Sequence, residues 1–169
     1  MKKPIKILTT TALIVLTGFT TVANASEQNN LEQVAHFQHL AFENKANTYT
    51  AYARLFNLCQ QQPKAEQCGN EYHEAEQTYL SAKARSDVLD LLVKADNYHA
   101  PLPGTAYVDL ATALNQTGYL TDAEEHGEKQ LLKAVNNWNA DNNFEPSDRL
   151  LLIQLMMIQI DAESQTGDV

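Results

Sequence analysis

Residues 65–94 read AEQCGNEYHEAEQTYLSAKARSDVLDLLVK, and this stretch decides the fold class. Tyr72, Ala75, Tyr79, Ala82, Leu89, Leu92 and Val93 recur at roughly three- and four-residue steps, with acids and lysines between them. That is the period of an amphipathic helix with one face turned inward. After residue 25 no run of alternating Val, Ile and Thr bounded by turns competes with it, so no strand is expected. The class is all-α.

Toward the N-terminus the same period continues. Leu31, Val34, Ala35, Phe42, Tyr49, Tyr52, Phe56 and Cys59 mark a helix over 30–59, with a polar stretch from Asn44 to Thr48 as the expected break. The two long helices, about 28–97 together, form an antiparallel hairpin. Its tip holds the chain's two cysteines, Cys59 and Cys68, with Pro63 between them. Pairing them closes a short loop and contributes about 2 to 3 kcal/mol through lost chain entropy. The close Cys-x-x-Cys spacing of a redox centre is absent, so the bridge is read as structural. Tyr49, Tyr52, Tyr72 and Tyr79 flank that tip at helical spacing and read as its packing.

The first residues carry an address. Lys2, Lys3 and Lys6 precede an uncharged apolar run from Ile7 to Val22 that ends in Ala23-Asn24-Ala25. This is the pattern of a secretory signal peptide (residues 1–25), with cleavage expected after Ala25 and no cysteine there to accept a lipid. Export to the periplasm or medium also permits the disulfide. Of 169 residues, 144 remain after cleavage, enough for a single domain over 26–169 with a real core. The full chain has 12 basic and 21 acidic side chains; the signal takes three lysines and no acid, leaving a net charge of −12. Nucleic acid is disfavoured as a partner, since no basic stripe is present to displace phosphate counterions. A basic protein partner fits better. No stable membrane anchor is expected after cleavage.

On the C-terminal side Pro101, Pro103 and Gly104 separate the hairpin from a helical group over about 104–165. Thr105 to Gln116 places Tyr107, Leu110, Ala111 and Leu114 on one face, and Gly118 ends that helix. Thr121 with Glu124 reads as a capping box opening a fourth helix that runs to about Trp138. Pro146-Ser147 is expected to open a fifth, ending near Gln165. That helix is apolar over much of its circumference, from Leu150 through Leu155 and Met156 to Ile160. It belongs either in the core or in a contact with a second copy or another protein.

Gln67-Cys68-Gly69, Gln116-Thr117-Gly118 and Gln165-Thr166-Gly167 repeat a Gln-x-Gly pattern every 49 residues. Around the middle copy, Tyr107, Leu110, Ala111, Leu114, Gly118, Leu120 and Ala123 follow the helix-turn-helix order of tetratricopeptide repeats. Residues 105–134 resemble that family, departing from it at Gly127 and Gln130. The resemblance implies stacked helical hairpins with a groove for a protein or peptide; the other architecture open to the chain is a plain helical bundle.

Signatures of catalysis or of a bound cofactor are missing from the sequence: no Gly-x-Ser-x-Gly, His-Glu-x-x-His, Walker loop or Cys-x-x-Cys-His occurs. The nearest approach to a metal site is Glu32, His36, His39 and Glu43 on one helical face. Of these, His36 and His39 with one Glu are close enough to share an ion, given further ligands from another helix. The function expected is therefore a non-catalytic protein–protein interaction module, with Tyr107, Leu155 and Met156 as candidate contacts. The alternatives are a periplasmic inhibitor or immunity protein against a toxin, and a metal-binding protein using His36 and His39.

Overall fold

The computed structural model describes residues 21–121 and 126–166, with side chains from 30 to 165. These residues form five α-helices: α1 (Thr21–Gln61), α2 (Asn70–Lys94), α3 (Tyr107–Gln116), α4 (Glu128–Asp141) and α5 (Leu152–Thr166). Among the described residues there is no strand, only an isolated antiparallel bridge between Pro101 and Leu151.

α1 and α2 pair along their length as an antiparallel hairpin. Gln38 faces Asp90 near the base, and Cys59 is bonded to Cys68 at the tip. The expected break at 44–48 does not occur. Thr48 donates its hydroxyl back to the Asn44 carbonyl at 2.8 Å, and Thr50 does the same to Ala46 at 2.9 Å. Asn44 and Lys45 send their side chains to Glu163 and Asp87. Polar groups that could compete for the backbone are thus satisfied without interrupting the helix.

α5 lies at the centre. Ile153, Leu155, Met156, Met157, Ile158 and Ile160 are all buried. They are covered by Val34, Phe37 and Ala41 of α1, Leu89 and Leu92 of α2, and the inward faces of α3 and α4. The apolar circumference that the sequence left without an assigned cover is enclosed by the chain's own helices. Trp138 of α4 is fully buried in a triangle of rings with Phe37 and Phe144, whose centroids are 5.4 and 5.6 Å away, and its indole N–H donates to Asp161 at 2.8 Å.

Three helices end in the same way. Asp96, Gly118 and Asn143 adopt left-handed backbone (φ 52°, 82° and 60°) just past α2, α3 and α4. In each case the following residue's N–H returns to a carbonyl inside the last turn: Asn97 to Leu92, Tyr119 to Leu114, Phe144 to Asn139. These are Schellman closures, and Asp and Asn are the residues beside Gly that tolerate the conformation best.

Two helix starts differ from the sequence reading. α5 begins at Leu152 rather than at Pro146, because Leu102 N–H donates to the Leu150 carbonyl and Leu152 N–H to that of Ala100, both at 2.9 Å. That pairing holds 150–151 extended, and Gln154 then accepts the Leu151 N–H at 3.0 Å to cap the helix. Asn136 exchanges two hydrogen bonds with the Ser147 backbone, which fixes the preceding loop on α4. α4 begins at Glu128 after an extended Gly127, so Thr121 is not its N-cap; Glu124 lies outside the described residues. The first two Gln-x-Gly copies occupy unlike positions, one leading into α2 and the other closing α3. Gly167 of the third is not among the described residues.

Candidate binding surface

Side-chain cover from α5 stops part-way along the hairpin. At the C-terminal end of α5, Glu163 accepts from Asn44 Nδ2 at 2.7 Å and ion-pairs with Arg85. Burial lowers the Arg85 guanidinium pKa from its ordinary value. Among the described residues, the main core cluster contains nothing between Ala41 and Val88. The distal parts of α1 and α2, about 46–61 and 70–80, therefore project as a two-helix arm. At 1.5 Å per residue the α1 side of this arm is about 24 Å long.

The arm is held by aromatic rings and the disulfide. Tyr52 stacks on Tyr79 at 5.5 Å with 10° between the planes, and approaches Tyr72 at 5.8 Å and Phe56 at 6.0 Å. Tyr49 meets Tyr79 at 5.3 Å. The hydrogen bond with Tyr52, followed by desolvation and the charge of Glu76, pushes the Tyr72 phenol up to about 12. At the tip the Cys59–Cys68 bridge joins α carbons 5.5 Å apart. Pro63, with no N–H to donate, follows the last helical hydrogen bond, Gln62 N–H to Leu58.

Two helices cannot enclose all of these rings. Phe42 is 60 % exposed, Tyr49 52 %, Leu80 47 % and Phe56 40 %, and Leu31 at the base is 51 % exposed. The sequence reading placed Phe42, Tyr49 and Phe56 on the packed face of α1, together with Val34. The buried positions are instead Val34, Phe37, Ala41 and Leu55, and the aromatic row lies on the flank. Both sets have helical spacing, so periodicity alone does not separate them. The seven-residue step from Phe42 to Tyr49 to Phe56 does not separate them either, since the buried Val34 and Ala41 are also seven apart.

Other candidates lie elsewhere. Leu155 and Met156 are buried in the core and offer no surface. Tyr107 is half-buried on α3; desolvation, the charge of Glu128 and a hydrogen bond with it raise the phenol's pKa. α3 packs directly on α5, which closes the face between them except for a cavity of about 300 Å³ bordered by Arg85, Asp109, Gln116 and Glu163. His36 and His39 are exposed on α1; His39 Nε2 lies 3.3 Å from a Glu43 carboxylate oxygen, and the His36 ring sits edge-on to Phe37. No group of three or more possible metal ligands converges among the described residues. A larger cleft of about 910 Å³ opens at the base of the hairpin, with Val34, Ile153 and Met157 on its apolar side and Asp96, His99 and Arg149 on its polar side.

No described helix is long and apolar enough to cross a membrane; most of the Ile7–Val22 run lies outside the described residues. Comparison with protein-family models, curated proteins and solved structures gives no match.

Proposed function

We propose that this chain is an exported, non-catalytic binding module that docks onto a protein partner through its disulfide-tipped arm. The observation that carries the reading is the pair of exposed rings, Tyr49 and Phe56, with Leu80 on a projecting hairpin that the main core cluster does not reach; Leu91 and Val108 are exposed singly on the body. A large apolar patch on an otherwise well-packed domain marks an interaction surface. Aromatic side chains are also the residues that contribute most per contact in such interfaces. The disulfide and the ring stack keep the arm ordered before binding, which reduces the entropy lost on association.

A photo-crosslinking residue placed at Tyr49 or Phe56 in cells tests the reading, with one at Val108 on α3 as the control. The expected result is a discrete adduct from the two arm positions and none from Val108. Absence of any adduct from the arm removes the docking function.

A second reading, an inhibitor that plugs a toxin's active site, draws on the exposed acids Glu66, Glu71 and Glu74 at and near the tip. A narrow acidic arm suits a basic cleft. Inhibition of an enzyme identified in the adduct would favour this narrower role.

A further inference from the structure

On the body of the molecule, α3 and α5 meet beside α2 around the cavity of about 300 Å³. On α3, Asp109, Ala113 and Gln116 border it at steps of four and three; on α5, Ala162 and Glu163 stand three and four residues after Gln159. Such spacing puts each set on one helical face. Ala113 and Ala162 are buried, and their single methyl groups leave the space between the helices unfilled. A volume at the low end of ligand pockets admits a small molecule rather than a peptide segment.

The groups around the cavity carry both signs of charge. Arg85 enters from α2 with 21 % of its side chain exposed, and Glu163 Oε1 engages its Nη2. The Arg85 Nε–H is buried without an acceptor among the described residues. A desolvated guanidinium with an unmet donor favours a second oxygen anion. Asp109 is exposed and has no ion-pair partner among the described residues. The side-chain amides of Gln116 and Gln159 have no hydrogen-bond partner there either.

Charge excludes the simpler ligands. With Arg85 set against Asp109 and Glu163, a plain anion meets an excess of negative charge. A plain cation satisfies Asp109 but stands beside Arg85 and leaves its donor unmet. A molecule that carries both signs a short distance apart answers both groups.

We infer that this cavity binds a small zwitterion of the α-amino-acid class, its carboxylate held by Arg85 and its ammonium group by Asp109. Gln116 and Gln159 supply neutral hydrogen bonds to the same groups. Glu163, itself held by Asn44, positions the guanidinium. The site is independent of the docking arm.

Calorimetric titration of the exported, disulfide-bonded chain with alanine tests the inference, with ethylamine and propanoate as analogues lacking one charge each. Alanine is expected to bind about tenfold or more tightly than either. Asp109→Asn should weaken alanine by about tenfold or more. Arg85→Lys, which keeps the charge but loses the fork, should do the same. Val108→Ser, an exposed change on α3, should leave affinity as it was. Because Asp109 stands in the first turn of α3 and Arg85 holds Glu163, each variant is also melted without ligand. Backbone amide NMR shifts on adding alanine should centre on 109–116 and 159–163.

No saturable binding of alanine would mean that the cavity holds only water, and the inference fails. Equal binding of ethylamine or propanoate, full affinity in a folded Asp109→Asn variant, or amide shifts confined to other helices would overturn it as well. None of these results bears on the adducts expected from the arm.

Discussion

The Tyr52 and Tyr79 rings lie parallel within 10° at 5.5 Å, linking α1 to α2 in the part of the hairpin that α5 does not reach. Where no third helix covers two others, ring stacking and a covalent staple must replace a core.

Tyr52→Ala removes the ring that also meets Tyr72 and Phe56. It should loosen the arm by about 1 to 3 kcal/mol, the scale of an aromatic cluster contact plus lost burial. Native-state hydrogen exchange should speed up across 46–61 and 70–80 while the α5 amides keep their protection. Uniform acceleration through α5 would mean that the arm and the body unfold as one unit.

Reducing the disulfide, or replacing it by Cys59→Ser with Cys68→Ser, releases a loop of nine residues' separation. The chain-entropy relation gives a loss of about 2 to 3 kcal/mol. Urea unfolding of both forms measures it, and an unchanged midpoint would mean the bridge stabilises nothing.

Trp138 is the chain's single tryptophan, fully buried and hydrogen-bonded to Asp161. Asp161→Ala leaves the indole N–H without this acceptor and should cost about 1 to 3 kcal/mol. Trp138→Ala should cost about 3 to 5 kcal/mol. Native indole fluorescence should be blue-shifted and shift red on unfolding in the Asp161 variant as in the parent protein.

Two phenols should ionise late. Desolvation, and then the hydrogen bond to Asp141, push Tyr119 up to about 12, and Tyr72 reaches a similar value beside Tyr52. A folded pKa above the unfolded value near 10 favours the neutral phenol, so the stabilisation is intact below about pH 10 and is lost as pH rises toward 12. Absorbance titration near 295 nm should show a late step that Tyr72→Phe and Tyr119→Phe each diminish. The opposite sign holds for Asp87, whose carboxyl is held below its ordinary pKa by the hydrogen bond from Lys83. Its contribution should fall away only as acid protonates it, below about pH 4.

Helix content, the stapled tip and the turns at Pro63 and Gly118 were legible because each depends on the residue itself or on neighbours within a turn: side-chain period, cysteine proximity, a missing N–H, a glycine at positive φ. The start of α5 was not, because Leu150 and Leu151 suit a helix locally and are kept extended only by Ala100 and Leu102, about fifty residues away in sequence. The unbroken course of α1 through Asn44 depends in the same way on Glu163 and Asp87.

For the candidate surface the division is sharper. The sequence by itself determined that aromatic residues would recur along a helix hairpin and that a disulfide would tie its end. Only the tertiary structure decided which of them meet water. α5 is too short to follow a hairpin whose first helix spans 41 residues, and it turns its apolar surface to the base, so the rings beyond Asn44 pack within the hairpin, around the buried Leu55, rather than against α5.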